Sequence, residues 1–489
     1  MNNLPFQSAT ELTRAIREKQ IGSAELLEIY IERYERLNPR LNAIVDTDFE
    51  NARTRAHKAD EALAKGENWG PLHGLPMTIK DCIEVIGMHS TWGSPLFKDY
   101  VSTRNADVVQ PLLDAGAVVF GKTNIPLWAM DTQSFNEVYG QTNNPWEVTR
   151  SPGGSSGGAA AALAAGLTGL EIGSDIGGSI RSPAHFCGVY GHKPTYGIVP
   201  MYGQSPPLEQ FTIDYAVGID IAVTGPLARS AEDLDLVMDL VVRPARPQRK
   251  AVKIDLPAPR KKSLKEYRIG LWLDDVLFPP DTETGNCLQK MADNLAKAGA
   301  KIEEKKPDID FAHCLEVYFD LLTLATVFTT PQNEFDQLLQ ASKTLDKNNQ
   351  SPETYMARTT TKLHREWQLL NVERSFMRQK WDDYFREIDV LLCPAVRVPA
   401  VPHDHTDIAK RLHRFNDQDL SHAEVLMPWA GLTIVSYLPA TVAPVGLTKS
   451  GLPVGVQIVG PYMEDRTPIH VAKLMKDVVG GFIPPPGFE

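Results

Sequence analysis

Two serines and a lysine, each beside glycines or at the end of an apolar run, are the residues best placed to do chemistry. Ser151-Pro-Gly-Gly-Ser-Ser-Gly-Gly158 carries Ser155, and Gly173-Ser-Asp-Ile-Gly-Gly-Ser-Ile-Arg181 carries Ser179. Upstream, Gly74-Leu-Pro-Met-Thr-Ile-Lys-Asp81 ends a short apolar stretch in Lys80. Glycine has no Cβ and lets backbone N–H groups come close to a ligand. A lysine beside serines activates a hydroxyl without histidine. The set reads as a Ser–Ser–Lys hydrolase acting on an amide.

Amides are stable, so their hydrolysis needs a nucleophile, a proton shuttle to the leaving amine, and donors for the oxyanion. Ser179 follows Gly177-Gly178, and in such a turn the N–H groups of Ile176, Gly177, Gly178 and Ser179 can converge on one point. An oxyanion hole of that kind contributes on the order of 3 kcal/mol per donor. A helix opening at Ser156-Gly-Gly would aim free N–H groups and the positive end of its dipole at the same region. Lys80 must be neutral to accept a proton. An ordinary pKa of about 10.4 leaves under about 0.1% neutral at pH 7, and burial or a nearby positive field lowers it. Ser155 can then bridge, taking the Ser179 proton and passing its own to Lys80. The plain alternative for Lys80 is a surface lysine paired with Asp81. For the glycine loops it is ordinary turn chemistry, which two such loops flanking an Ala-rich helix make a poor account.

These residues need a scaffold. Met77–Lys80 and Ala117–Phe120 read as strands, and Ser156–Ala165 as a helix opening in glycines. Two helices cover about 8–37, with Ser23 as an N-cap and Asn38-Pro39 as the stop, and a polar helix covers about 48–65. Ser230-Ala-Glu-Asp233 has the spacing of a capping box. The basic, proline-rich stretch 243–266 reads as an exposed connector. Strands follow at 267–273 and 389–393, with 283–387 mostly helical between them. The tail alternates apolar runs with Gly and Pro. Interleaved strands and helices predict an α/β fold with a mixed sheet. The organisation expected is a helical arm over 1–65 packed on a core over 66–489, with a helical substrate-side region over about 283–387.

Composition narrows the function. The 489 residues carry a net charge of −11, which argues against a nucleic-acid-binding surface. Met1-Asn-Asn-Leu-Pro-Phe has no basic segment leading into an apolar one, so no secretory leader is expected. No run of about 18 uncharged apolar residues predicts a membrane span. Five cysteines without a CxxC pair fit reduced, buried thiols and a cytoplasmic location.

The chain resembles the amidase signature family. The matching motifs are Gly74-Leu-Pro-Met-Thr-Ile-Lys-Asp, Gly121-Lys-Thr-Asn, Ser151-Pro-Gly-Gly-Ser-Ser-Gly-Gly, Gly173-Ser-Asp-Ile-Gly-Gly-Ser-Ile-Arg, Phe186-Cys-Gly-Val-Tyr-Gly-His-Lys-Pro-Thr195, Gly225-Pro-Leu-Ala-Arg-Ser230 and Gly451-Leu-Pro-Val-Gly-Val-Gln-Ile-Val-Gly460. The similarity is weakest over 243–430. It implies one large α/β domain, a twisted mixed sheet with helices on both faces. It makes Lys80 the catalytic lysine, Ser155 the serine on a cis peptide, and Ser179 the acylated nucleophile. Ile176 to Gly178 match the oxyanion donors, and Ser156, Asp175 and Arg181 support the loop. The resemblance implies no cofactor and a small-molecule amide substrate. Apolar or aryl amides, and also esters or carbamates, are the expected class. One family branch is the glutaminase component of the tRNA-dependent amidotransferase, which holds glutamine with charged groups that have no evident counterpart here. Where the family usually has an acidic residue after Gly-Lys-Thr-Asn, this chain has Leu127-Trp128. A homodimer is compatible with all of this.

Three other patterns compete. Gly116-Ala-Val-Val-Phe-Gly-Lys-Thr123 fits the P-loop spacing, but Ala-Val-Val-Phe is a buried β run and not a phosphate-cradling bend. Gly153-Gly-Ser155-Ser-Gly157 fits the nucleophile elbow, but the polar Asn144–Ser151 stretch replaces the apolar strand that should precede it. His185-x-Cys187 and His403-Asp-His405 have metal-ligand character without a partner cluster, so no metal is assigned. The walls of the substrate pocket are expected from Trp128, Met130, Gln133 and Trp429.

Overall fold

The strand that ends in Lys80 lies in a small sheet braced against a large one. In the computed structural model, which describes residues 4–208, 219–344 and 351–488, the chain opens with helices α1 (Ala9–Arg17) and α2 (Ser23–Leu41). Strand β1 (Ile44–Thr47), helix α3 (Phe49–Ala64), strand β2 (Pro76–Lys80), helix α4 (Gln110–Asp114) and strand β3 (Val118–Thr123) follow. These strands form a three-stranded sheet in the order β1-β3-β2, with β2 parallel to β3 and β1 antiparallel.

A short hairpin of β4 (Phe135–Asn136) and β5 (Gly140–Gln141) leads to α5 (Gly157–Ala164), β6 (Glu171–Asp175), α6 (Arg181–Cys187), β7 (Tyr190–Lys193), β8 (Val223–Ala228) and α7 (Ala231–Val241). Beyond the connector come β9 (Arg268–Leu271), α8 (Thr282–Lys297), β10 (Lys301–Glu304), α9 (Phe311–Thr326), α10 (Gln332–Thr344), α11 (Pro352–Thr360) and α12 (His364–Glu387). The chain closes with β11 (Val390–Pro394), the hairpin β12 (Leu412–Phe415) and β13 (Gln418–Ser421), α13 (His422–Leu426), α14 (Pro428–Ile434), β14 (Ala440–Leu447), β15 (Pro453–Val459) and α15 (Arg466–Val479). The large sheet has eight strands in the order β10-β9-β11-β15-β14-β7-β8-β6, parallel across β10-β9-β11 and antiparallel elsewhere. It is the mixed α/β sheet expected. Strand β2 packs on β6, which carries Lys80 to the edge of the large sheet.

The helix ends show where local signals give way to tertiary ones. Ser23 is not the N-cap of α2 but its first residue, with Gly22 at the cap. The α3 residue Asp60 takes the capping role across the fold, accepting from Ser23 N–H at 2.7 Å and Ala24 N–H at 3.0 Å. Ser23 Oγ is then free to donate to Gly74 O. Pro39 does not stop α2 either. It sits on the exposed side of the last turn, where a missing N–H leaves a carbonyl facing water. Asn42, in the left-handed region at φ 50°, ends the helix. Ser230 does cap α7, accepting from Asp233 N–H. The Asp233 carboxylate does not return the bond as a capping box requires. It accepts from Ala9 N–H and Thr10 N–H at the start of α1.

One core spans both sheets and includes Leu12, Leu26, Ile79, Phe120, the alanines of α5, and Val456. A second core joins Trp272, Phe311, Tyr318, Trp381 and Trp429 under α9 and α12.

Candidate active site

Lys80 closes β2 and is fully buried. Its Nζ lies 2.7 Å from Ser155 Oγ, 2.9 Å from Ser156 Oγ and 3.0 Å from Ser174 Oγ. An ammonium can donate to all three; a neutral amine donates to two and accepts from the third. Burial pushes the Lys80 pKa below its ordinary 10.5, while Cys82, Asp175, Glu171 and Asp81 pull the other way. Asp81 is not its ion-pair partner. That carboxylate accepts from Thr91 N–H, Thr91 Oγ1–H and Trp92 N–H.

Ser155 and Ser156 lie at the mouth of α5. The Gly154–Ser155 peptide is cis. Gly154 is confined by packing: a Cβ there would sit 2.6 Å from Gln133 N and from Thr132 C, so no larger residue fits. Ser156 is at the N-cap of α5, yet its side chain caps nothing. Its hydroxyl faces Lys80 and Ser174 instead. This brings the helix start, with its partial positive charge, beside the lysine.

Ser179 sits in the tight turn between β6 and α6, and Ser156 N–H donates to its carbonyl oxygen at 3.1 Å. The Ser155 and Ser179 loops are therefore tied directly. Ser179 Oγ makes no hydrogen bond to a described residue. Asp175 organises the turn. Its carboxylate accepts from Gly178 N–H at 2.9 Å and Ile180 N–H at 3.0 Å, and from Arg181 Nε–H and Nη2–H. Arg181 is itself buried, and its Nη1 reaches Thr433 Oγ1 and Gln457 Oε1. These bonds correct one expectation. Gly178 N–H is engaged by Asp175 and is not available to an oxyanion. The N–H groups of Ile176, Gly177 and Ser179 meet no acceptor among the described residues.

Burial alone would raise the Asp175 pKa, but the Arg181 guanidinium overrides it and holds the group at about 2. A depressed carboxylate contributes stability that is present above its unfolded pKa of about 3.9 and lost as pH falls toward about 2. Asp175→Asn leaves Arg181 buried and uncompensated, and should destabilise the fold by about 3–5 kcal/mol. Denaturant unfolding at pH 7 measures this, and a loss under about 1 kcal/mol would contradict the role given to the pair.

Two residues of the site were not anticipated. Ser174, inside the second motif, is the third hydroxyl on Lys80. Tyr318, on α9, donates its hydroxyl to Ile176 O at 3.1 Å and steadies the turn from outside. The alternation of β6 could have flagged Ser174. Nothing local marks Tyr318, because its partner is over a hundred positions away.

The expected pocket residues separate. Trp128 and Met130 line a cleft of about 830 Å³ with Leu127, Phe135, His405 and Arg411. Lys80, Ser155 and Ser179 are not among its walls. Gln133 is buried behind Gly154, with its Oε1 accepting from Asp404 N–H. Trp429 is a core residue rather than a pocket wall. Its indole N–H donates to Phe278 O and its ring packs edge-on against Trp272 and Phe311.

The competing patterns have structural occupations. Gly121-Lys122-Thr123 continues β3, and Lys122 Nζ is held by Asp81 O, His89 O and Ser90 Oγ. A phosphate loop has no place there. No strand precedes Ser155 over 142–150 as an elbow requires. The ring nitrogens of His185 face Gly455 O and Val398 O, and burial pushes its pKa down to about 4. His405 stacks on Phe135 at 4.0 Å between ring centres, on the cleft.

Residues 25–468 match the family model described as Amidase. The chain is 32% identical over 466 residues to an indoleacetamide hydrolase of Bradyrhizobium diazoefficiens, covering 94% of this chain and 84% of that protein. It is 28% identical over 491 residues to a glutamyl-tRNA(Gln) amidotransferase component from Prochlorococcus marinus, covering 94% and 95%. The fold is shared with a bacterial aryl acylamidase of the amidase signature enzymes, with a TM-score of 0.79, 24% identity and coverage of 97% and 96%.

Proposed function

The chain belongs to the amidase family, hydrolases of amide C–N bonds, and on that premise we propose that Ser179 Oγ attacks the carbonyl carbon of a carboxylic amide. Ser155 takes the Ser179 proton and passes its own to neutral Lys80. The N–H groups of Ile176, Gly177 and Ser179 receive the oxyanion. The proton returns through Ser155 to the leaving nitrogen, and the C–N bond breaks, releasing amine or ammonia. Water then enters by the same relay and frees the carboxylate from the Ser179 ester. The observation that supports this most is a buried lysine in direct contact with Ser155 at 2.7 Å.

The substrate proposed is a small apolar or aryl amide, with esters or carbamates as further substrates. The similarity to an indoleacetamide hydrolase and the apolar side chains of Trp128 and Met130 on the neighbouring cleft support it. The similarity to an amidotransferase component supports a second reading, a glutaminase that works with a partner. The five free thiols support a reducing compartment, the cytoplasm. A panel of acetamide, benzamide, an anilide, a carbamate and glutamine separates the readings. The aryl amides should turn over fastest without added protein, and faster hydrolysis of glutamine would favour the second.

On the best substrate, kcat/KM should rise with pH as Lys80 loses its proton. Because burial lowers that pKa, the rise should be centred below 10.5. A flat profile from pH 6 to 10, with chemistry rate-limiting, would rule out a lysine base.

A further inference from the structure

Glu171 is a fully buried carboxyl that the proposed mechanism does not use. It starts β6 and accepts from Thr78 Oγ1–H and from its neighbour Ile172 N–H. Thr78 and Lys80 alternate along β2, so both point to one face of that strand. Glu171 and Gly173 likewise share a face of β6, and a Cβ on Gly173 would touch Ser156 Oγ at 2.7 Å. The carboxyl is thus two strand positions, about 7 Å, from the hydroxyl cluster that holds Lys80 Nζ.

We propose that Glu171 is a positioning residue that sets the proton affinity of Lys80: as a neutral acid it leaves Lys80 free to lose its proton, and its ionisation holds that proton on. The inference rests on Lys80 being the base. Burial pushes the Glu171 pKa up to about 8, so it is protonated at neutral pH. The buried Thr123 hydroxyl lies beside the carboxyl, and a hydroxyl can accept from the neutral acid or donate to the carboxylate. Lys122 on β3 acts on it directly, and Lys80 on β2 couples both to it and to Asp175 further along β6. Lys122 is held by its own three oxygens, and Asp175 is paired with Arg181. Lys80 is therefore the group whose charge has room to respond. The two titrate as a coupled pair. An ionised carboxyl at this distance in a poorly solvated site shifts its neighbour by about one pK unit or more.

The pH profile of acylation tests this, with the rate of labelling by a fluorophosphonate as readout on the full chain. Wild type should rise from pH 6 and bend over above pH 8, where Glu171 ionises. Glu171→Gln keeps the shape and removes the charge change. Its profile should run parallel to wild type below pH 7 and keep rising above pH 8, so that only its midpoint falls, by about one unit of pH. A variant whose rates are scaled equally at every pH would overturn the proposal, and so would one that superimposes on wild type. If the variant does not fold, the infrared carbonyl stretch of wild type decides. A protonated carboxyl present at pH 7 that disappears as pH rises through about 8 supports it, and the absence of that band at pH 7 overturns it. A wild-type profile that is flat throughout would instead remove Lys80 as the base, a separate failure.

Discussion

Ser179→Ala should abolish covalent labelling by a fluorophosphonate and reduce kcat/KM on the order of a million-fold. The loss is set by chemistry: without Oγ no acyl-enzyme forms, and only binding and the oxyanion donors remain. The fold should be untouched. Ser179 contributes its carbonyl oxygen to the loop contact with Ser156 N–H, and alanine keeps that oxygen. Asp175 still orders the turn through Gly178 and Ile180. The thermal midpoint should therefore stay within a few degrees of wild type, which separates a chemical loss from a structural one. Labelling that survives in Ser179→Ala and disappears in Ser155→Ala would mean that Ser155 is the nucleophile. That outcome would restore the elbow reading of Gly153–Gly157 and overturn the assignment of roles.

Which parts of this site were legible depends on how local their causes are. The Lys80 strand, the Ala-rich helix after Ser156 and the strand at 389–393 follow from short apolar patterns, and the structure has them as β2, α5 and β11. The glycine loops that present Ser155 and Ser179 follow from residue types alone. The misreadings are long-range. Asp60 caps α2 from another helix, and Asp233 turns to α1 rather than to its own N-cap. Gly178 looked like an oxyanion donor because the loop was read without Asp175 folded beneath it. Trp429 looked like a pocket wall because an aromatic residue gives no sign of which neighbours will bury it; here Trp272 and Phe311 do. The separation of small and large sheets was also hidden. Each strand's alternation is local, but which strand pairs with which is set by the packing of the whole chain.

Lys80→Met should lower kcat/KM by about four powers of ten or more, and Lys80→Arg should not restore it. Methionine keeps the length and apolar stem and removes the base. Arginine keeps the positive charge but stays protonated, so it can donate to Ser155 and never accept from it. A lysine that only held the serines in place by charge would predict partial rescue by arginine, so recovery beyond about tenfold would sink the relay. Lys80→Met also carries a structural burden, because three buried hydroxyls lose their common partner. Unfolding should show a loss of about 1–3 kcal/mol, too little to explain the kinetic effect in a chain that is still folded. The double variant Lys80→Met/Ser179→Ala gives the sharper discrimination. If the two residues act through one proton path, adding Lys80→Met to Ser179→Ala removes almost nothing more. If they act independently, the two losses multiply.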